Sequence, residues 1–103
     1  MATTERAEAV RAVARSIPPG NVSTYGEIAH VVGVGARYVG WVMSKSSDLA
    51  WWRVVNSTGR AHTAAAQAYW DAEGIPYRED RVVLSECGLD ATDLAAATRP
   101  SRT

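Results

Sequence analysis

Two consecutive tryptophans precede an arginine in Ala50-Trp51-Trp52-Arg53, and these side chains are suited to binding rather than to reaction. An indole is a large flat apolar surface with one N–H donor, so it can line a pocket for a planar ring. It cannot reach the nucleophilicity of a thiolate. The alternative is that Trp51 or Trp52 is a core residue; in an extended segment the two side chains would face opposite ways. Arg53 lies in an apolar run, so we expect it to form an ion pair or to contact carbonyl groups.

Nucleophiles and metal ligands are scarce elsewhere in the chain. Cys87 is the only cysteine, which excludes an intrachain disulfide and indicates a reducing compartment. We interpret it as a small hydrophobic residue with an inert thiol. A lone cysteine together with His30 and His62 offers no metal-ligand spacing. The sequence therefore predicts neither a metal nor a cofactor.

The charge balance argues mildly against a nucleic-acid partner, because Lys+Arg and Asp+Glu are 11 each and the formal net charge is zero. The distribution weakens that objection. Between positions 30 and 60 there are four basic residues and a single acid, namely Arg37, Lys45, Arg53, Arg60 and Asp48. A local basic face on a neutral protein is compatible with this arrangement.

The pattern of the first half of the chain predicts three helices. Apolar residues recur at helical spacing over residues 4–16, and Pro18-Pro19-Gly20 ends that helix. Thr24 and Glu27 match a capping box, which predicts a second helix through Val32. A glycine-containing turn and a third helix over residues 36–44 follow. Two short helices joined in this way are typical of a helix-turn-helix, although many small helical domains contain such pairs.

The second half mixes strands with one helix. Residues 52–56 are predicted as a short strand, residues 63–73 as a helix closed by Gly74, and residues 81–84 as a final strand that pairs near Val54-Val55 to form a wing. We expect one domain over residues 1–90 and a frayed tail over residues 91–103. The charged N-terminal sequence does not resemble a signal peptide, and no stretch approaches the ~20 apolar residues of a membrane span. The expected location is cytoplasmic, on the nucleoid when DNA is bound.

Three segments in this order resemble the DNA-binding and active-site domain of the O6-alkylguanine-DNA alkyltransferases. They are residues 24–29 (Thr-Tyr-Gly-Glu-Ile-Ala), residues 36–43 (Ala-Arg-Tyr-Val-Gly-Trp-Val-Met) and residues 50–57, and the resemblance extends over about residues 5–85. Where that family has Pro-Cys-His-Arg, this chain has Ala-Trp-Trp-Arg. Trp51 replaces the alkyl-accepting cysteine, and Trp52 replaces the histidine that activates it. The chain therefore resembles the non-catalytic alkyltransferase-like proteins, which implies a mainly α winged helix-turn-helix domain that is not an enzyme.

The resemblance implies DNA-binding roles for residues at the starts of the second and third helices. Arg37, by pattern alone a solvated surface residue, would enter the minor groove and fill the space that a flipped nucleotide vacates. Tyr25 would pack against the phosphate of that nucleotide, and Thr24, whose presence capping alone explains, would touch phosphate as well. Ala36 and Gly40 would let the helix approach the groove closely. Gly40 is otherwise a helix position tolerated at about 1 kcal/mol relative to alanine.

The same resemblance implies a pocket for the alkylated base. Its expected lining is Tyr25, Trp51, Val54, Asn56, Ser57 and Arg60. The family's Gly-rich lid is replaced by Ala64-Ala65-Ala66, and Arg60 or His62 would contact the base in place of the family's lid residue. Glu73 stands where the family has the partner of the activating histidine. It is either an exposed acid or a hydrogen-bond acceptor for the indole of Trp52. Trp41 and Met43 are interpreted as core residues.

These inferences predict a protein that flips and binds O6-alkylguanine in double-stranded DNA and flags it for nucleotide excision repair proteins. We expect it to act as a monomer and not to bind a membrane. The alternative is a helix-turn-helix DNA-binding module with a regulatory or architectural role and no preference for lesions. A third hypothesis, dealkylation through Cys87, would require a methyl adduct on the protein after incubation with methylated DNA.

Overall fold

The computed structural model describes the backbone of residues 2–98 and the side chains of residues 5–98. In chain order the elements are α1 (Ala2–Arg15), β1 (Ser23–Thr24), α2 (Tyr25–Val32), α3 (Ala36–Ser44), a 3-10 turn (Trp51–Arg53), β2 (Val54–Val55), α4 (Ala66–Glu73), β3 (Tyr77–Arg78), β4 (Arg81–Val82), α5 (Leu84–Cys87) and α6 (Ala91–Thr98). None of the helices in this part of the chain is both long and apolar enough to cross a membrane.

Four helices, α1, α2, α3 and α6, enclose the first of two hydrophobic clusters. The predicted helix-turn-helix is present as α2 and α3, with Gly33 in the left-handed region (φ 87°) ending α2. Thr24 caps α2 as predicted, because its hydroxyl oxygen accepts the Glu27 N–H at 3.1 Å. The Glu27 carboxylate instead accepts the backbone N–H of Ala91 at 2.7 Å. This bond connects the first turn of α2 to the first residue of α6.

The second cluster lies between α4 and the short strands and includes Val22, Val55, Trp70 and Val82. β1 and β2 are parallel, with Ser23 opposite Val54, while β3 and β4 form an antiparallel hairpin. Trp51 packs against both clusters. The Trp-Trp-Arg segment therefore lies where the helical part of the fold meets the strands.

The predicted pairing of residues 81–84 with Val54-Val55 is wrong. β4 pairs with β3, which is close in sequence, and closing a short loop costs less conformational entropy than a distant pairing. The two regions still touch at Gly59, whose oxygen accepts the Val82 N–H at 2.9 Å. Gly59 has φ 94°, and a Cβ there would lie 2.6 Å from the Val82 oxygen. Only glycine fits this contact.

Two further predictions about local structure need correction. Trp51–Arg53 forms a 3-10 turn, so the strand predicted from Trp52 is confined to Val54–Val55. The expected alternation of Trp51 and Trp52 across a strand therefore does not occur. The helix predicted from Thr63 begins at Ala66, and it ends at Gly74 (φ 71°) as predicted.

The tail predicted over residues 91–103 is wrong for residues 91–98, which form α6; residues 99–103 lie outside the described part. Leu94 is fully buried among the helices, and α6 packs on both α1 and α2. Asp90 and Asp93 accept each other's backbone N–H groups at 2.9 and 3.1 Å, which caps the helix. The Ala- and Thr-rich sequence concealed this helix because Leu94 is its only large apolar side chain.

Candidate nucleic-acid interface

Arg37 lies at the start of α3 with its side chain exposed. This side chain has no hydrogen bond, ion pair or ring contact with any residue in the described part of the chain. Ala36 beside it is exposed, and the helix cap at Gly35 has no side-chain hydrogen bond. The first turn of α3 therefore places backbone N–H groups and a guanidinium together, an arrangement that suits an anionic partner.

Tyr25 and Gly40 are brought together as neighbours on α2 and α3. A Cβ on Gly40 would lie 3.7 Å from the Tyr25 ring, an ordinary van der Waals distance, so the ring packs directly over this position of α3. Burial raises the pKa of the half-buried Tyr25 phenol and keeps it a hydrogen-bond donor. Thr24, one residue earlier, uses its oxygen for capping but retains its O–H as a donor.

The interpretation of Trp41 as a core residue is wrong, whereas Met43 is buried as predicted. The Trp41 side chain is 53% exposed on α3. It stacks on Tyr38 with ring centroids 6.0 Å apart, and the Lys45 Nζ lies 6.0 Å from the indole centroid. The helical period explains the difference. Val39, Val42 and Met43 lie on the inward face of α3, and Trp41, which is between them in sequence, points to the opposite face.

Trp51 belongs to an aromatic cluster formed by Trp51, Trp52, His62 and Tyr69. The His62 ring lies 4.9 Å from Trp51, and Tyr69 and Trp52 meet it edge-on at 5.7 and 5.8 Å. Trp52 and Tyr69 stack face to face at 3.9 Å. Half-buried Trp51 thus has an apolar, aromatic surrounding. Sequence reasoning missed Tyr69; the available signal was two adjacent aromatics on one helix, of which Trp70 takes the core position.

Glu73 anchors this cluster and is not the exposed acid of the first alternative. Its carboxylate accepts the Trp52 indole N–H at 2.9 Å, as the second alternative predicted, and the Gly20 backbone N–H at 3.0 Å. Arg53 pairs with it at 2.6 Å and also donates to the Ile17 carbonyl at 3.1 Å, which confirms the expected partners of Arg53. Burial alone would raise the pKa of Glu73, but the hydrogen bonds from Arg53, Gly20 and Trp52 outweigh it, and the pKa is lowered.

The turn after β2 is organised by Asn56. Its side-chain oxygen accepts the backbone N–H groups of Thr58 and Arg60 at 2.9 and 3.0 Å and the Thr58 hydroxyl at 2.7 Å. That oxygen is fully used within the turn, which leaves the Asn56 amide N–H groups as donors. Ser57 is exposed at the tip.

Two predicted pocket residues are placed differently. Val54 is fully buried in the helical cluster, so its side chain does not line an open pocket; parallel pairing with Ser23 directs it inward. Arg60 forms an ion pair with Asp80 at 3.0 Å and lines a cavity of about 100 Å³ with Ala64, Gln67 and Trp70. Pockets for small molecules are commonly ~300–1,000 Å³, so this cavity is too small for one.

The thiol and the possible metal ligands can be placed as well. Cys87 is buried at the end of α5, and burial raises the pKa of its thiol. Within residues 5–98 no three His, Cys, Asp or Glu side chains come together in a way that would hold a metal ion.

Comparison with known proteins places this geometry in context. Residues 5–77 match the family model of the 6-O-methylguanine DNA methyltransferase DNA-binding domain. A DNA base-flipping protein of Vibrio parahaemolyticus is 48% identical in an alignment of 54 residues that covers 48% of this chain and 54% of that protein, so the chain spans about half the length of this relative. The crystal structure of S. pombe Atl1 in complex with damaged DNA containing O6-carboxymethylguanine matches with a TM-score of 0.74 and 30% identity, over 84% of this chain and 96% of that one. Since the family model extends over more than half of its length, the chain belongs to the family of the 6-O-methylguanine DNA methyltransferase DNA-binding domain.

Proposed function

We propose that this protein binds double-stranded DNA and holds a flipped O6-alkylguanine against Trp51 without altering it. The observation that carries this proposal is the aromatic cluster around Trp51, the residue that by resemblance replaces the family's alkyl acceptor. Half-buried Trp51, flanked by His62 and Tyr69, is a flat apolar surface suited to an alkylated base. The relatives that are named for base flipping and solved on damaged DNA support the same interpretation.

Arg37 and Tyr25 supply the physical means of flipping. Extruding a nucleotide costs a few kcal/mol in lost stacking and pairing. Arg37 is exposed and unpaired within the described residues, and a planar guanidinium can stack and hydrogen-bond in the vacated space. The protonated Tyr25 phenol and the N–H groups at the start of α2 favour the phosphate of the rotated nucleotide.

We propose that the protein is not an enzyme. Trp51 offers no nucleophile, and the Trp52 indole nitrogen is a donor without basic character. That N–H is already bonded to Glu73. Without turnover, the output is the complex itself, which we propose is recognised by nucleotide excision repair proteins while the protein acts as a monomer.

Base entry requires local movement around Trp51. His62 lies 4.9 Å from the indole and occupies space that a stacked base needs. Arg60 is exposed and its pair with Asp80 is a surface ion pair, worth only about 0–1 kcal/mol. Breaking this ion pair therefore costs little, and the Arg60 side chain is available to the base once Asp80 releases it.

The deciding experiment measures dissociation constants for two matched duplexes that differ only in one guanine or O6-methylguanine. Tighter binding to the modified duplex is the expected result. Equal affinities would contradict lesion recognition and favour a regulatory or architectural DNA-binding module instead.

Arg37→Ala tests the flipping step. We expect the affinity for the modified duplex to fall by ~1–3 kcal/mol, as for the removal of one specific DNA contact. Arg78→Ala, which removes an exposed arginine from β3, is the matched control and should leave that affinity nearly unchanged. An Arg37→Ala protein that binds the lesion as well as the parent does would exclude the proposed role.

A further inference from the structure

The outward face of α3 carries a stripe formed by Arg37, Trp41 and Lys45. These residues are four positions apart, so they follow one another along the same side of the helix and its C-terminal cap. All three side chains are exposed. In the described part of the chain only Trp41 and Tyr69 are large hydrophobic residues with an exposed side chain, and Trp41 is the more exposed, at 53%. None of the residues of α3 is acidic.

We propose that this stripe docks the protein on duplex DNA, with Trp41 against deoxyribose and Lys45 on a phosphate, independently of any lesion. This inference rests on the proposed function for the position of Arg37 and adds two contacts to it. Trp41 is held ready by its neighbours, since it stacks on Tyr38 at 6.0 Å and lies beneath the Lys45 ammonium at 6.0 Å.

Dimensions and charge both favour a nucleic-acid strand as the occupant. At 1.5 Å rise per residue, Arg37 and Lys45 are separated by about 12 Å. That length corresponds to about three to four nucleotides at 3.4 Å each, so Lys45 reaches a phosphate a few positions from the flipped nucleotide. Trp and Arg are enriched at protein–protein interfaces as well, but lysine is depleted there, whereas Arg and Lys both commonly contact phosphate.

The stripe also accounts for DNA binding by a protein without net positive charge. Arg37 and Lys45 are exposed and form no ion pair within the described residues, while Arg11, Arg53 and Arg60 are each paired with an acid. Few counterions would then be released on binding, so we expect a shallow salt dependence to which Lys45 contributes a measurable share.

The test measures affinity for the unmodified and the O6-methylguanine duplex over a range of salt concentrations. We expect Lys45→Gln to weaken both complexes and to reduce the slope of log K against log salt by about 1. We expect Trp41→Ala to weaken both by on the order of tenfold, the gain from burying the exposed half of an indole, and Trp41→Phe to retain most of the affinity. Arg78→Gln is the charge control and should leave the slope unchanged.

The two duplexes separate this inference from the proposed function. The ratio of the two affinities reports lesion recognition, and the weakening common to both reports docking by the stripe. Unchanged binding of both duplexes by Trp41→Ala and Lys45→Gln would overturn the inference, as would a weakening confined to the modified duplex. A parent protein that does not prefer the lesion, combined with a reduced salt slope in Lys45→Gln, would reject the proposed function and keep the docking role.

Discussion

Trp52 connects the aromatic cluster to Glu73 and to α4. Its indole N–H donates to Glu73, its ring stacks on Tyr69 at 3.9 Å, and its carbonyl accepts the Trp70 indole N–H at 2.8 Å. A histidine at this position could accept and release a proton, whereas an indole N–H can only donate a hydrogen bond. The same hydrogen bond to Glu73 therefore supports a binding surface here and cannot activate a nucleophile.

Trp51→Cys tests this conclusion. We expect no methyl transfer from O6-methylguanine DNA to the variant, because Trp52 cannot remove the thiol proton. Intact-mass spectrometry after incubation would detect a single added methyl group. A Trp51→Cys/Cys87→Ser protein assigns any adduct to position 51, and the parent protein, whose Cys87 is buried, should also remain unmodified. Efficient methylation of Trp51→Cys would refute this account of position 52.

At the scale of elements, α2 and α3 are fitted to each other through Tyr25 and Gly40. The ring of Tyr25 covers the α3 backbone where Gly40 has no side chain, at the distance of an ordinary van der Waals contact. This contact excludes side chains larger than alanine at position 40 without requiring that DNA approach the helix there, whereas a close approach of DNA would exclude alanine as well.

Gly40→Ala and Gly40→Leu distinguish these explanations. A methyl group fits at 3.7 Å from the ring, so alanine should raise the free energy of unfolding by up to about 1 kcal/mol and leave DNA affinity nearly unchanged. Leucine should displace Tyr25 and weaken binding of the modified duplex. Chemical denaturation and duplex titration measure both effects. A stable Gly40→Ala protein that no longer binds DNA would show that the α3 backbone itself meets the groove at this glycine.

Helices with strong local signals were predictable, and contacts between distant segments were not. The Thr24 cap, Gly33 and Gly74 fix helix ends through local backbone geometry, so α2, α3 and the end of α4 follow the prediction. In the 3-10 turn at Trp51–Arg53, Arg53 is bonded to Glu73, which is 20 residues further along the chain. A pattern of neighbouring residues cannot predict such a contact. Leu94 of α6 and the outward position of Trp41 depend in the same way on tertiary packing.

For the molecule as a whole, Glu73 connects three separate stretches of chain. It lies at the end of α4, accepts from Gly20 in the segment after α1, and pairs with Arg53 in the turn that carries Trp51. The two charged side chains are only 16% and 13% exposed. Removing one partner of such a pair leaves a poorly solvated charge, which commonly costs ~3–5 kcal/mol. The charged Glu73 carboxylate therefore contributes both to the free energy of unfolding and to the position of the aromatic cluster.

This dependence predicts how stability changes with pH. The pKa of Glu73 is lowered from its ordinary value of 4.5, so below that value the unfolded chain takes up a proton before the folded protein does. The stabilisation is complete above pH 4.5 and is lost as the pH falls through the folded pKa. Glu73→Gln should lower the free energy of unfolding near neutrality and make its decline in acid shallower. Denaturant titrations between about pH 6 and pH 3 measure both quantities.

Two further variants make this test specific to Glu73. The pKa of Asp48, beside Arg11, is also lowered, but Asp48 is present in the parent and in Glu73→Gln, so the difference between their curves reports Glu73. Glu86→Gln removes an exposed acid and should leave the dependence of the unfolding free energy on acid pH unchanged.

Trp52→Phe keeps the Tyr69 stack and removes one hydrogen-bond donor to the charged Glu73 carboxylate. It should stay folded, with the free energy of unfolding lowered by ~1.5–3 kcal/mol. Because it raises the pKa of Glu73 towards the ordinary value, its acid slope should fall between those of the parent and Glu73→Gln. Equal slopes in all four proteins would show that the Glu73 carboxylate does not hold the three stretches together.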